Sequence, residues 1–219
     1  MIESTSCHKV PAQLYPSPTE EDAMKADIYD QLLPFAGLLR AYHRHEVHGI
    51  ENIPQNGPVL LAVNHSLATY DIVLLLAAIY QLRKRVTCPL IDRAFYKFPG
   101  LGQLMEQLGA NQGSPDTARG LLGDGQLVCV APGGMRESLR PSTERYQILW
   151  DERVGFVKVA MLAQAPIVLA ACPRADDIYD VYPSRLTNWV YSNLKLPLMI
   201  ARGLGPTPIP RPIKLHTIS

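Results

Sequence analysis

A histidine and an aspartate stand close together in the stretch Val63-Asn64-His65-Ser66-Leu67-Ala68-Thr69-Tyr70-Asp71. An aspartate that keeps one imidazole nitrogen protonated leaves the other free to take a proton from a hydroxyl. That is the His–Asp half of a catalytic triad, with a substrate hydroxyl in place of the serine. The same residues also have an ordinary reading, because Asn and Ser favour turns and Asp favours helix starts. A second stretch with chemical character is Pro132-Gly133-Gly134-Met135-Arg136-Glu137. Paired glycines let a backbone turn sharply and aim its N–H groups at a ligand. Arg136 adds a planar fork suited to phosphate or carboxylate. Plain loop geometry is the alternative for this stretch too.

Both stretches need elements to position them. Residues 58–63 form a short apolar run of the kind that makes a buried strand, and residues 72–80 read as an apolar helix. Asn64, His65 and Ser66 then occupy a strand-to-helix turn, with Asp71 at the first helical turn, where a carboxylate is favoured. Residues 126–131 are a second buried strand that runs into the glycine pair. The same alternation predicts a strand over 86–91, a helix over 95–108 interrupted at Pro99-Gly100, and a helix over 117–122. A helix over 154–164, a strand over 166–172 and a last strand over 213–218 complete it. The segment 179–189 is aromatic and mixed, 196–201 is apolar, and the proline-rich 205–212 cannot be a central strand.

Ahead of these, residues 1–18 read as an irregular leader, and Thr19 with its following acids as a helix start. Met24, Ile28, Leu32, Phe35, Leu38, Leu39 and Tyr42 then fall near one helical face, with Pro34 expected to kink or divide the helix. Such a stripe packs on a core or lies in a membrane surface. His43, His45 and His48 follow in a predicted strand that turns His48 away from the other two, so a metal site there is disfavoured. Arg83-Lys84-Arg85 suits a helix C-terminus, with lipid or cofactor phosphates as the other use.

The 219 residues, 47% hydrophobic with a net charge of +1, suit one domain plus a short appendage and make no case for nucleic acid. The four cysteines are widely spaced and suggest neither zinc nor a disulfide framework, and Cys129 and Cys172 fall in buried strand-like runs. No run reaches the roughly 18 apolar residues of a membrane-spanning helix, and no signal peptide is evident. The expectation is an intracellular protein that can still lie on a membrane. There is no nucleotide-binding glycine loop and no G-x-S-x-G elbow.

Val63-Asn64-His65 with Asp71, then Pro132-Gly133-Gly134-Met135-Arg136-Glu137, then Gly155-Phe156-Val157-Lys158-Val159-Ala160 and Ala165-Pro166-Ile167-Val168, together resemble the phospholipid/glycerol acyltransferase family. The pattern is closest to its diacylglycerol acyltransferase-like branch, with PGG-x-RE where lysophosphatidate acyltransferases carry PEG-T-R. This sequence has five residues between His65 and Asp71 where the common pattern has four, and its C-terminus is expected to be shortened. The resemblance implies an α/β fold, a mixed and partly parallel sheet flanked by helices, over residues 45–219. Residues 1–44 would be a leader and membrane-docking helical segment. It implies transfer of a fatty acyl group from acyl-CoA or acyl-ACP, as co-substrate, to a hydroxyl of a glycerolipid or lysophospholipid. His65 would be the general base and Asp71 its orienter. Asn64, Pro132, Gly133, Gly134 and Arg136 would hold the acceptor, with Glu137 locking Arg136. No metal or other cofactor is required, the partners are the lipid acceptor, the thioester donor and the cytoplasmic face of a membrane, and the oligomeric state is open. A catalytically silent lipid-binding protein and an acyl-thioester hydrolase are the competing readings.

Overall fold

The computed structural model describes residues 20–97, 99–182 and 200–219. The expected leader, the Thr19 cap and most of 179–189 and 196–201 therefore lie outside the described residues. The chain opens with α1 (Glu20–Tyr42), an unbroken helix in which Pro34 sits without dividing it. Then follow β1 (Glu46–His48), β2 (Val59–Val63), α2 (Tyr70–Arg83) and β3 (Thr87–Ile91). Next come α3 (Leu101–Gln107), β4 (Asn111–Gln112), α4 (Pro115–Gly123) and β5 (Leu127–Val130). The short α5 (Gly134–Ser138), α6 (Gly155–Leu162) and β6 (Ile167–Ala170) complete the main layers. Three short strands follow: β7 (Asp180–Tyr182), β8 (Ile200–Arg202) and β9 (His216–Ile218).

Five strands form one sheet in the order β4-β3-β5-β2-β6, and every pairing in it is parallel. Parallel sheets are covered on both faces, so their strands are apolar along their whole length. β2 shows this: all five residues of Val-Leu-Leu-Ala-Val are buried. Its alternate side chains serve two cores. Val59, Leu61 and Val63 pack with Ile72, Leu75 and Ile79 of α2. Leu60 and Ala62 pack with Ala118 and Leu122 of α4 and Val159 and Ala160 of α6. The pair β1–β9 is also parallel, while β7–β8 is antiparallel, so the mixed α/β architecture expected from the sequence is present.

Three local expectations change. The strand predicted over 42–49 is only Glu46–His48, because α1 runs on to Tyr42. His43 and His45, expected on one strand face, lie before the strand, are both buried, and each has a hydrogen-bonding role. His43 bridges the Ile213 carbonyl (3.0 Å) and the Tyr70 hydroxyl (3.1 Å), and His45 meets Thr217 Oγ1 (2.9 Å). In the basic cluster, Arg83 donates to the Ile53 carbonyl and Arg85 to those of Pro54, Gly57 and Gly125, which leaves their forks engaged by backbone. The apolar stripe of α1 is also split. Ala36 is buried and Leu39 packs inward, whereas Leu32, Phe35 and Leu38 stay 45%, 62% and 67% exposed.

Candidate active site

β2 ends at Val63, and the next residues climb out of the sheet at its C-terminal edge, where open parallel sheets place their ligands. Asn64 stays tied to the sheet, its Oδ1 accepting the Cys172 N–H at 2.9 Å. His65 follows, then Ser66, a single 3-10 turn (Leu67–Thr69), and α2 with Asp71 in its first turn. Thr69 has φ 60°, in the left-handed region that β-branched residues avoid.

The pairing expected between His65 and Asp71 takes a different form. Asp71 is buried, and its Oδ1 accepts the hydroxyl hydrogen of Ser66, which is itself 2% exposed. His65 Nδ1 lies 2.9 Å from the Ser66 backbone carbonyl. A carbonyl can only accept, so Nδ1 carries the proton and Nε2 is left with a free lone pair. Among the described residues no hydrogen bond joins His65 to Asp71, and Ser66 stands between them. Burial holds the His65 imidazole well below its ordinary range, at about 4, with Arg140 adding to the shift and the Ser66 carbonyl opposing it. Burial raises the Asp71 carboxyl to about 6 against the bond from Ser66. Near neutral pH the imidazole is therefore neutral and the carboxylate charged.

The glycine stretch follows β5, the neighbour of β2 in the sheet. Gly134 needs its glycine for φ 55°. At Gly133 a Cβ would collide with the Glu137 side chain. The sequence therefore couples PGG with RE: a side chain at 133 and a buried glutamate at 137 exclude one another. Pro132 and Gly133 present their carbonyls to Arg153 Nη1 at 3.1 and 2.7 Å. α5 itself has only five residues.

Glu137 does not lock Arg136. Its side chain is 0% exposed, turned inward, and accepts the backbone N–H of His65 (3.1 Å, at Oε2) and of Leu149 (3.3 Å, at Oε1). Arg140 Nη1 lies 3.5 Å away, while the rest of that guanidinium grips Asp176 at 2.6–3.2 Å. Arg136 points outward and pairs with Asp151, both more than half exposed. The reason is helical geometry: adjacent residues on a helix face different directions, so 136 and 137 cannot share one side. Ser66, Arg140, Arg153 and Asp176 escaped the sequence reading. Arg140 alone left a clear signal, an opposite charge three residues after Glu137.

Between the sheet and α4/α6 lies a cavity of about 790 Å³, a volume in the range of small-molecule sites. Leu60, Leu90, Phe95, Phe156 and Val159 line it, and His65, Arg93 and Gly134 belong to its wall. Leu60 of β2 and His65, just past the end of that strand, both line it. The structure thus brings His65, Gly134 and an apolar chamber together, with Asp71 and Glu137 behind His65. Asn64, Pro132 and Arg136 lie outside the cavity wall.

The chain is similar to known proteins over most of its length. Residues 44–172 match the model of a family described as acyltransferase. A bovine "DGAT1/2-independent enzyme synthesizing storage lipids" is 32% identical over 183 residues, 83% of this chain and 52% of that protein. The human protein of the same name is 32% identical over 183 residues, covering 54% of its length. An uncharacterized Mycobacterium tuberculosis protein is 27% identical over 182 residues, 79% of this chain and 51% of its own. The chain spans about half the length of the curated relatives it matches. With the family model covering well over half of its residues and His65, Asp71 and the Gly133-Gly134 turn inside that match, the chain belongs to the acyltransferase family.

Proposed function

We propose that the chain moves a fatty acyl group from an acyl thioester, of CoA or of acyl carrier protein, to a hydroxyl of a glycerolipid or lysophospholipid. The observation that carries this is the free Nε2 of a neutral His65 at the wall of a largely apolar cavity. His65 Nε2 takes the acceptor's hydroxyl proton as that oxygen attacks the thioester carbonyl. A C–O bond forms, the C–S bond breaks, and the imidazolium returns its proton to the departing thiolate. The cavity holds the acyl chain, and Arg93, an exposed cation of its wall, meets anionic groups of acceptor or carrier. Asp71 acts through Ser66, and Glu137 fixes the backbone of His65. Storage-lipid synthesis by the bovine and human relatives supports a neutral or phosphorylated glycerolipid acceptor.

The same reading places α1 on a membrane. No helix among the described residues is long and apolar enough to cross one. Leu32, Phe35 and Leu38 recur at helical spacing on the exposed side of α1, the pattern of a helix lying in a membrane interface, here at the cytoplasmic face. Phe35→Asp with Leu38→Asp should move the protein from a liposome pellet to the supernatant; equal pelleting of both forms rejects this docking.

The separation of Asp71 from His65 favours a second reading, a lipid-binding protein without turnover. Incubation with labelled acyl-CoA and a panel of lysophospholipid and diacylglycerol acceptors decides between them. Label in an esterified lipid supports transfer; label found only as free fatty acid indicates a hydrolase, and intact donor indicates the silent reading.

A further inference from the structure

The pair β1–β9 carries a cluster that the acyl-transfer chemistry does not use. Glu46 and His48 are two apart on β1 and share its outer face, and the parallel register sets His216 of β9 opposite Glu46. Val47 and Thr217, between them, turn inward, so the backbone holds the three side chains on one face. Glu46 Oε2 lies 3.3 Å from His216 Nδ1 and 3.7 Å from His48 Nε2. All three donor atoms fall within 4.8 Å of one another, and the two imidazole rings stack with centroids 5.8 Å apart at 19°.

Charge-assisted hydrogen bonds close to about 2.7–2.9 Å, and neither contact does so. A tetrahedral ion with bonds of about 2.0–2.1 Å instead spaces its donors about 3.4 Å apart. Glu46 already meets that spacing with both histidines. Two imidazoles and one carboxylate are a borderline donor set, suited to zinc, nickel or copper and poorly suited to magnesium or calcium. Lys214 Nζ holds Glu46 Oε1 at 2.8 Å and leaves Oε2 turned to the imidazoles, orienting the carboxylate from behind. His43 and His45 stay outside the cluster because each ring has partners inside the fold.

We propose that Glu46, His48 and His216 bind one divalent transition ion, Zn²⁺ being the reference case, with water in the remaining position. The ion clips β9 to β1. β9 in turn touches the end of β6 through Ala171 and Ile218, one residue before Cys172, whose N–H is held by Asn64. The site therefore fastens the strand that backs the His65 turn, without touching substrate.

The test uses the full, untagged chain, stripped with chelator and titrated with Zn²⁺ by calorimetry and with Co²⁺ by visible absorption. One ion per chain is expected, with Tm raised by roughly 5–10 °C when free zinc exceeds Kd a hundredfold. His48→Ala and His216→Ala should each weaken Zn²⁺ binding at least tenfold, and the double variant should remove both the cobalt band and the Tm shift. Melting of each variant in chelator confirms that it folds, and Glu46→Gln, which keeps the side-chain size, serves if an alanine variant does not. Failure of the parent chain to bind zinc saturably overturns the proposal, and so does unchanged binding in the double variant.

Discussion

The turns that follow β2 and β5 sit side by side at one edge of the same parallel sheet, yet they are held in different ways. In the β2 turn the side-chain bonds of His65 and Ser66 are local: Ser66 meets Asp71 five residues on, and His65 Nδ1 meets the carbonyl of the very next residue. The β5 turn reaches far: Glu137 grips the His65 N–H across 72 residues of sequence and Leu149 beyond it. Local bonds set the tautomer of His65, and the distant carboxylate sets where its backbone stands. Chemistry and placement are thus handled by separate groups, and removing each should give a different failure.

His65→Ala should produce the largest effect, a loss of about 10²–10⁴ in kcat/KM with circular dichroism unchanged. A folded variant that keeps more than about a tenth of the activity removes His65 from the role of base. Glu137→Ala comes next and should fail differently. It strips the acceptor from two part-buried N–H groups and leaves Arg140 with Asp176 alone, so about 2–4 kcal/mol of stability should be lost in denaturant unfolding. Glu137→Gln retains one acceptor and should restore much of the stability, with kcat more affected than KM. Equal stability of parent and Glu137→Ala would break the contrast between the two turns.

Ser66→Ala and Asp71→Asn should each lower kcat/KM by about one to two orders of magnitude. Their double variant should be little worse than either, as for groups acting through one another. Activity lost in Asp71→Asn alone, with Ser66→Ala silent, would show that the carboxylate meets His65 directly during turnover. The pair also makes a stability prediction. The Asp71 carboxyl is raised to about 6, so its contribution is greatest below about 4 and is lost as pH rises to about 6. The His65 imidazole is lowered to about 4, so its contribution is present above about 6.5 and is lost as pH falls toward 4. Over about pH 4–6 the two slopes oppose one another. Asp71→Asn removes one of them, so the variant should gain up to roughly 3 kcal/mol at pH 7 and then lose stability on acidification more steeply than the parent. Unfolding at pH 4.5 and pH 7 measures this. Arg136→Lys should do least, under about 1 kcal/mol in stability for an exposed pair with Asp151. A large rise in KM alone would return Arg136 to the binding surface.

These contrasts explain what the sequence made legible. β2, α2 and β5 were readable because burial on both faces of a sheet demands uninterrupted apolar runs, and His65 and Asp71 fell where those runs end. The partner of Glu137 was not readable, since a backbone N–H has no residue type and sits 72 positions away. Arg136 looked like the binding group because its chemistry is visible in one letter, while its direction depends on the five-residue α5. Ser66 hid in plain view as a turn residue. The exposed row on α1 was half legible: the stripe showed, but not which part of it Ala36 and Leu39 would bury.

The strand order carries a consequence for how the site comes into being. β2 and β3 follow one another in the chain but never touch in the sheet, because β5 lies between them. Parallel neighbours cannot close as a hairpin, so β2 and β5 must wait for the intervening helices to loop back, and long loops close slowly. Glu137 arrives directly behind β5. The nascent chain therefore carries His65 from early on, but the His65 backbone gains its Glu137 anchor only once the central strand β5 is inserted.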